Sequence, residues 1–99
     1  MTPIRVNYDN VFRQAARLQQ LGEEHRRSAA ALDAQRSALS ASWRDPAGAA
    51  YANAAAKLVS EMRASADEMV RLAALIKDAA VKYKAAEEAN AKSAGGLAT

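Results

Sequence analysis

Apolar residues recur along the chain at alternating steps of three and four, the spacing that places side chains on one side of a helix. The first row is Val11, Ala15, Leu18, Gly22, His25, Ala29, Leu32, Arg36, Leu39 and Trp43. The second row is Tyr51, Ala55, Leu58, Met62, Ser65, Met69, Leu72, Ile76, Ala79 and Tyr83. Sustained heptad rows of this kind predict long helices with left-handed packing.

A break between the two rows separates the helices. Asp45 is a favoured N-cap residue and Pro46 suits the first position of a helix. The sequence therefore predicts a first helix over residues 8–41, capped by Asn7 or Asp9, and a second over residues 46–88. The tryptophan turn between them covers residues 42–46.

The two ends of the chain lack this periodicity. Residues 1–7 are predicted to form an extended N-terminal arm. Residues 89–99 are predicted to form a flexible tail, in which Gly95-Gly96 is expected to stop the helix.

A short turn between long helices favours an all-α, antiparallel hairpin. Gly22 would permit a close approach of the two helices, and Arg36 interrupts the first row. Further apolar residues flank the rows: Phe12, Leu21, Val59, Val70, Ala73, Leu75 and Ala80. A lone hairpin would leave them in water, so we expect two hairpins to pair as a four-helix bundle. The predicted hairpin and dimer seam comprises Val11, Leu18, His25, Leu32, Leu39, Tyr51, Leu58, Met62, Met69, Leu72 and Ile76.

Composition narrows the functional classes. The chain has no Cys, a single His and a formal charge of +3. With no nucleophile–base pair, phosphate loop or metal-ligand cluster in the sequence, we expect no enzymatic activity and no cofactor or metal. Arg13 and Arg17 share a helix face, but Glu23 interrupts the basic stripe, so we expect no nucleic-acid binding. No apolar run approaches the length of a membrane span or signal peptide, so no stable membrane insertion is expected.

Trp43 lies at the turn and small residues follow it, with Tyr51 on the next helix. This arrangement resembles the WXG-100 (ESAT-6-like) family, in which Gly stands at the position of Asp45. The family also carries a Tyr-x-x-x-Asp/Glu motif late in the second helix, which Tyr83 and Glu87 match. The other tyrosines, Tyr8 and Tyr51, have no acidic residue four positions on.

This resemblance implies a small substrate of a type VII (ESX) secretion system. Such a protein is exported as a folded dimer without a cleaved signal peptide, from a Gram-positive-type or mycobacterial-type bacterium. The resemblance assigns Trp43, Asp45, Tyr83 and Glu87 to the secretion signal, which a secretion ATPase would bind. The partner would be a second hairpin of the same type, either a second copy or a paralogue. The alternative function is a cytosolic coiled-coil adaptor or scaffold without an export role.

Overall fold

The computed structural model describes residues 6–98 and consists of two antiparallel helices in that range. Helix α1 spans Tyr8–Ser42 and helix α2 spans Pro46–Ala98. The hairpin measures 81 × 18 × 18 Å. The all-α hairpin predicted from the sequence is confirmed. Most of the predicted N-terminal arm, residues 1–5, lies outside the described residues.

Side-chain caps explain where each helix begins. The Asn7 side chain accepts a hydrogen bond of 3.0 Å from the Asn10 backbone N–H at the start of α1. The Asp45 carboxylate accepts a hydrogen bond of 2.8 Å from the Gly48 backbone N–H at the start of α2, which begins at Pro46. Each bond satisfies a backbone donor that has no partner inside its helix. At the other end of α1, the Trp43 N–H donates to the Leu39 carbonyl at 2.8 Å and closes the last turn.

The second helix extends beyond its predicted end at residue 88. It passes through Gly95 and Gly96 and ends at Ala98. A glycine costs a helix about 1 kcal/mol but can still adopt helical angles and donate its backbone hydrogen bond. Proline would remove that bond, and none follows Pro46 in the chain. The flexibility of residues 89–99 remains a prediction.

Small residues form the interior of the hairpin. On α1 the buried positions are Ala15, Gly22 and Ala29. On α2 they are Val59, Ala66, Ala73 and Ala80. Both sets recur at intervals of seven, so they line up along each helix and face one another. Among the described residues, no large side chain is fully buried. The hairpin therefore has a narrow core made by the close approach of two backbones.

Gly22 lies at a close approach of the two helices. A Cβ atom at that position would lie 2.8 Å from Cγ2 of Val70 and 3.1 Å from the Ala66 carbonyl oxygen. Both distances are shorter than ordinary van der Waals contacts allow, so an added methyl would push the helices apart. The predicted role of Gly22 is confirmed.

This close packing corrects the predicted seam of α2. Val59, Ala73 and Ala80, which were expected to flank the seam and to be left in water by a lone hairpin, are buried within the hairpin itself. Tyr51, Leu58 and Leu72, which were expected in the seam, are 60%, 48% and 50% exposed. The small residues of α1 leave room only for small residues opposite them. Helix α2 therefore turns the row that contains Val59, Ala73 and Ala80 toward α1, and the larger side chains of the predicted row lie outside the core.

Candidate functional site

The predicted seam residues together form one side of the hairpin, which we call the apolar face. On α1 it comprises Val11, Leu18, His25, Leu32 and Leu39, and on α2 Tyr51, Leu58, Met62, Met69, Leu72 and Ile76. A groove lined by Val11, Ile76, Ala79 and Tyr83 shows that the rows of the two helices lie on the same side. Every member is half-buried or exposed. The hairpin alone therefore does not cover this face.

The opposite side carries polar contacts between the helices, and we call it the charged face. It comprises Gln19, Arg26 and Asp33 of α1 and Arg63, Asp67 and Lys77 of α2. The Arg26 guanidinium donates to the Asp67 carboxylate from both Nε, at 3.1 Å, and Nη2, at 2.7 Å. Arg63 and Asp33 approach to 3.6 Å across the same side. These polar contacts join the two helices on this side, where Phe12 also lies beside Gln19 and Lys77.

Arg36 interrupts the buried row of α1 without being left as a lone charge. Its guanidinium Nε donates to the Asp33 carboxylate at 2.9 Å, and both side chains are about two-thirds covered. This contact first, and the Coulomb attraction of Arg36 and Arg63 besides, lowers the pKa of Asp33 below its ordinary value. The carboxylate is therefore ionised throughout the neutral range.

At the turn, the Trp43 ring packs against the start of α2. Its centroid lies 5.2 Å from that of Tyr51, with the two rings inclined at 29°, which is a stacked pair. Trp43 also lies directly over Gly48, where an added Cβ would overlap the Trp43 backbone carbonyl and the indole ring. Gly48 therefore lets the tryptophan fold back onto α2.

Asp45 links the turn to the second helix. The Gly48 N–H first, then a hydrogen bond from the Trp43 side chain and one from the Ala47 backbone, lower the pKa of the Asp45 carboxyl. These donors favour the charged carboxylate. Asp45 thus accepts a hydrogen bond from the first turn of α2, which Gly at the same position could not do.

The predicted Tyr83 and Glu87 lie at the other end of the hairpin, far from the turn. They share one side of α2, and Tyr83 is 70% exposed. From Pro46 to Tyr83 the helix rises by roughly 55 Å, at about 1.5 Å per residue. The structure therefore divides the predicted secretion residues into two groups, Trp43 with Asp45 and Tyr83 with Glu87, which do not meet within one chain.

Sequence reasoning missed two residues at these ends. Gly48 lies beneath Trp43, and a glycine in the first turn after Pro46 was the available signal. Tyr8 shares a groove with Tyr83 and Glu87, because the antiparallel packing brings the start of α1 beside the later part of α2. No residue spacing in the sequence predicts that these residues lie in one groove.

Metal-ligand clusters and membrane-spanning stretches are both absent from residues 6–98. No cluster of three or more His, Cys, Asp or Glu side chains there is arranged to hold a metal ion. Neither helix, over the same part of the chain, contains a stretch long and apolar enough to cross a lipid bilayer.

A family model described as proteins of 100 residues with WXG matches residues 3–88, which includes both helix starts, the turn and Glu87. No curated protein and no solved structure matches the chain.

Proposed function

Because the chain belongs to the WXG100 family, the ESAT-6-like family of type VII secretion substrates, we propose that it is exported as a folded dimer by a type VII (ESX) secretion system. It acts through protein–protein interaction, and we expect it to have no enzymatic activity. It is made in the cytoplasm before export.

The observation that supports a dimer is that large apolar side chains are exposed beside a core of small ones. Leu58 and Leu72 are about half exposed, whereas the buried positions of the hairpin are alanines, a glycine and a valine. Fully burying a leucine side chain contributes about 1.5–3 kcal/mol, so covering the exposed half of each contributes about half of that. A second hairpin laid on the apolar face would supply that cover and complete a four-helix bundle. The partner is a second copy or a paralogue.

The separation of the two groups of signal residues supports export as a pair. Trp43 and Asp45 lie at the turn, and Tyr83 and Glu87 lie roughly 55 Å along α2. A signal that combines both groups needs two chains, with the turn of one beside the helix end of the other. Unpaired chains would not display it, so the secretion ATPase would bind only assembled dimers.

The experiment compares the culture medium with the cell lysate. We expect the wild-type protein in the medium and Tyr83→Ala retained in the cells, since Tyr83 is 70% exposed and its loss leaves the hairpin core intact. Val81→Ala is the matched control, because Val81 is 50% exposed two residues away. Pairing is measured in both lysates to show that the dimer persists.

Wild-type protein found only in the lysate would contradict the export proposal and favour the cytosolic adaptor. Export of Tyr83→Ala at the wild-type level would leave secretion in place but remove Tyr83 from the signal.

A further inference from the structure

The apolar face carries one polar side chain at the middle of its α1 row. At intervals of seven residues this row comprises Val11, Leu18, His25, Leu32 and Leu39. His25 has two apolar residues on either side along the helix, and it lies at the middle of α1 itself. The row therefore has the same order of apolar and polar residues from either end.

A row of α2 on the same side of the hairpin repeats this order. At intervals of seven residues it comprises Tyr51, Leu58, Ser65, Leu72 and Ala79. Ser65 is exposed, and it again has two apolar residues on either side. Tyr51, the largest member, and Ala79, the smallest apolar one, lie at opposite ends of the row. Such a row packs well against its own reverse, because the large residue of one copy meets the small residue of the other.

The hairpin places the two polar residues at one level. Gly22 packs against α2 between Ala66 and Val70. Because the helices are antiparallel, three residues forward along α1, from Gly22 to His25, correspond to three residues back along α2, which reaches Ser65. A single two-fold axis that crosses both helices at this level therefore passes through the middle of both rows.

We propose that the partner is a second copy of this chain, laid on the apolar face in the reverse direction, with the two-fold axis at the level of His25 and Ser65. This inference rests on the proposed function, in which the turn of one chain lies beside the helix end of the other. Such an axis places each helix against its own copy. Residues equally far from the axis then meet: Val11 with Leu39, Leu18 with Leu32, Tyr51 with Ala79, and Leu58 with Leu72.

The polar layer at the axis fixes the register of the pair. His25 and Ser65 of both copies lie together there, so that each polar group has polar neighbours. A slip of one heptad would place His25 against Leu18 or Leu32 and bury its ring nitrogens without a polar partner. A different hairpin would need polar residues of its own at this level, whereas a second copy supplies them by symmetry.

The apolar face is also large enough for a stable dimer. Helix α1 has 35 residues and is roughly 50 Å long at about 1.5 Å per residue. The hairpin is 18 Å wide. These dimensions give a face of roughly 900 Å² on each chain, and each partner in an interface of standard size buries about 800 Å². One second copy therefore covers the face without a further chain.

Single cysteines on the α2 row test this register, because the chain has no cysteine of its own. Ser65→Cys places the two thiols of a pair at the axis, where the Cα atoms come within the roughly 7 Å that a disulfide spans. Leu72→Cys is the matched control, since its two thiols would lie about 20 Å apart along the bundle. Under mild oxidation of the whole chain we expect at least about ten times more linked dimer from Ser65→Cys.

A mixture of two variants tests the reverse direction. Leu58→Cys and Leu72→Cys should each remain unlinked alone but link when mixed, because these two positions meet in the proposed pair. Each variant is oxidised at a concentration at which its reduced form sediments as a dimer. Reduced Ser65→Cys should melt and sediment as the wild type does, which shows that it folds and pairs.

The outcomes distinguish this inference from the proposed function. If the wild type pairs with a different hairpin and is exported, while Ser65→Cys stays unlinked, the inference is overturned and the proposed function stands. Equal linkage of Leu72→Cys alone, or an unlinked mixture, also overturns it. Selective linkage of Ser65→Cys in a protein that never leaves the cell would support the symmetric pair and contradict export.

Discussion

The two faces of the hairpin flank the same narrow core, yet they differ in what covers them. The charged face is crossed by contacts between the helices, Arg26 with Asp67 and Arg63 with Asp33. The apolar face carries leucines, methionines and an isoleucine that α1 and α2 leave half-buried or exposed. One face thus satisfies itself within the chain, and the other needs a second protein. The difference indicates that small residues hold the hairpin together while large ones are kept for pairing.

The largest expected effect is a loss of pairing when a charge is placed on the apolar face. The same change on the charged face is the control. Leu72→Asp on the apolar face should weaken pairing at least about a hundredfold, because a carboxylate would be buried without a partner. Val81 is also 50% exposed and lies two heptads from Asp67, on the side of the charged face. Val81→Asp should leave the dissociation constant within about threefold of the wild type. Sedimentation of each variant with the natural partner measures both; equal losses would remove the distinction between the faces.

The next effect concerns the core that both faces share. Gly22→Leu should destabilise the complex by roughly 2–3 kcal/mol, because the new side chain meets Val70 and the Ala66 carbonyl where the helices approach closely. Ala31→Leu, at an exposed position of α1, should change stability by less than about 0.5 kcal/mol. Urea unfolding at a fixed protein concentration compares the two variants. A Gly22→Leu protein as stable as the wild type would contradict the close approach of the backbones.

A smaller effect is expected from the ion pair of the charged face. Arg26 and Asp67 are 47% and 68% exposed in their side chains, so water and salt screen their attraction. A double-mutant cycle with Arg26→Ala and Asp67→Ala should give a coupling of about 0.2–1 kcal/mol, decreasing as salt is added. Pairing should not change. A coupling above about 2 kcal/mol would mean that this face stabilises more than its exposure allows.

The smallest effect is an acid dependence of the same face. The pKa of Asp33 is lowered in the folded chain, so its contribution is complete at neutral pH and is lost as the pH falls through the folded pKa, below about 4. Asp33→Asn should therefore melt below the wild type at pH 7, with the difference shrinking toward pH 2.5. Thermal unfolding monitored by circular dichroism measures it, and a difference independent of pH would exclude the ionised carboxylate as its cause.

Local signals in the sequence were sufficient for the outline of the fold. Asn7 and the Asp45-Pro46 pair mark the helix starts through their own side chains, and the structure begins α1 and α2 at those positions. The resemblance drawn from Trp43, Tyr51, Tyr83 and Glu87 is confirmed by the family match over residues 3–88. These features depend on residue type and spacing, which a sequence displays directly.

The rest depends on contacts between distant residues. Leu58 and Leu72 directly precede the buried residues Val59 and Ala73. Periodicity alone does not say which of these two rows of side chains faces the other helix. The leucine row was predicted to face the other helix because its side chains have the larger apolar area. The helices approach too closely at Gly22 for a core of large side chains there. The groove that Tyr8 and Glu87 share arises from the antiparallel register, which no single helix specifies.

The central claim is that the hairpin alone does not bury enough apolar surface to stand as a single chain. Sedimentation equilibrium of the purified protein at micromolar concentration, with and without a related hairpin, tests it most directly. The account predicts a two-chain complex, formed with itself or with the added hairpin, and no stably folded single chain. A monomer that melts cooperatively and binds neither a second copy nor the added hairpin would contradict it.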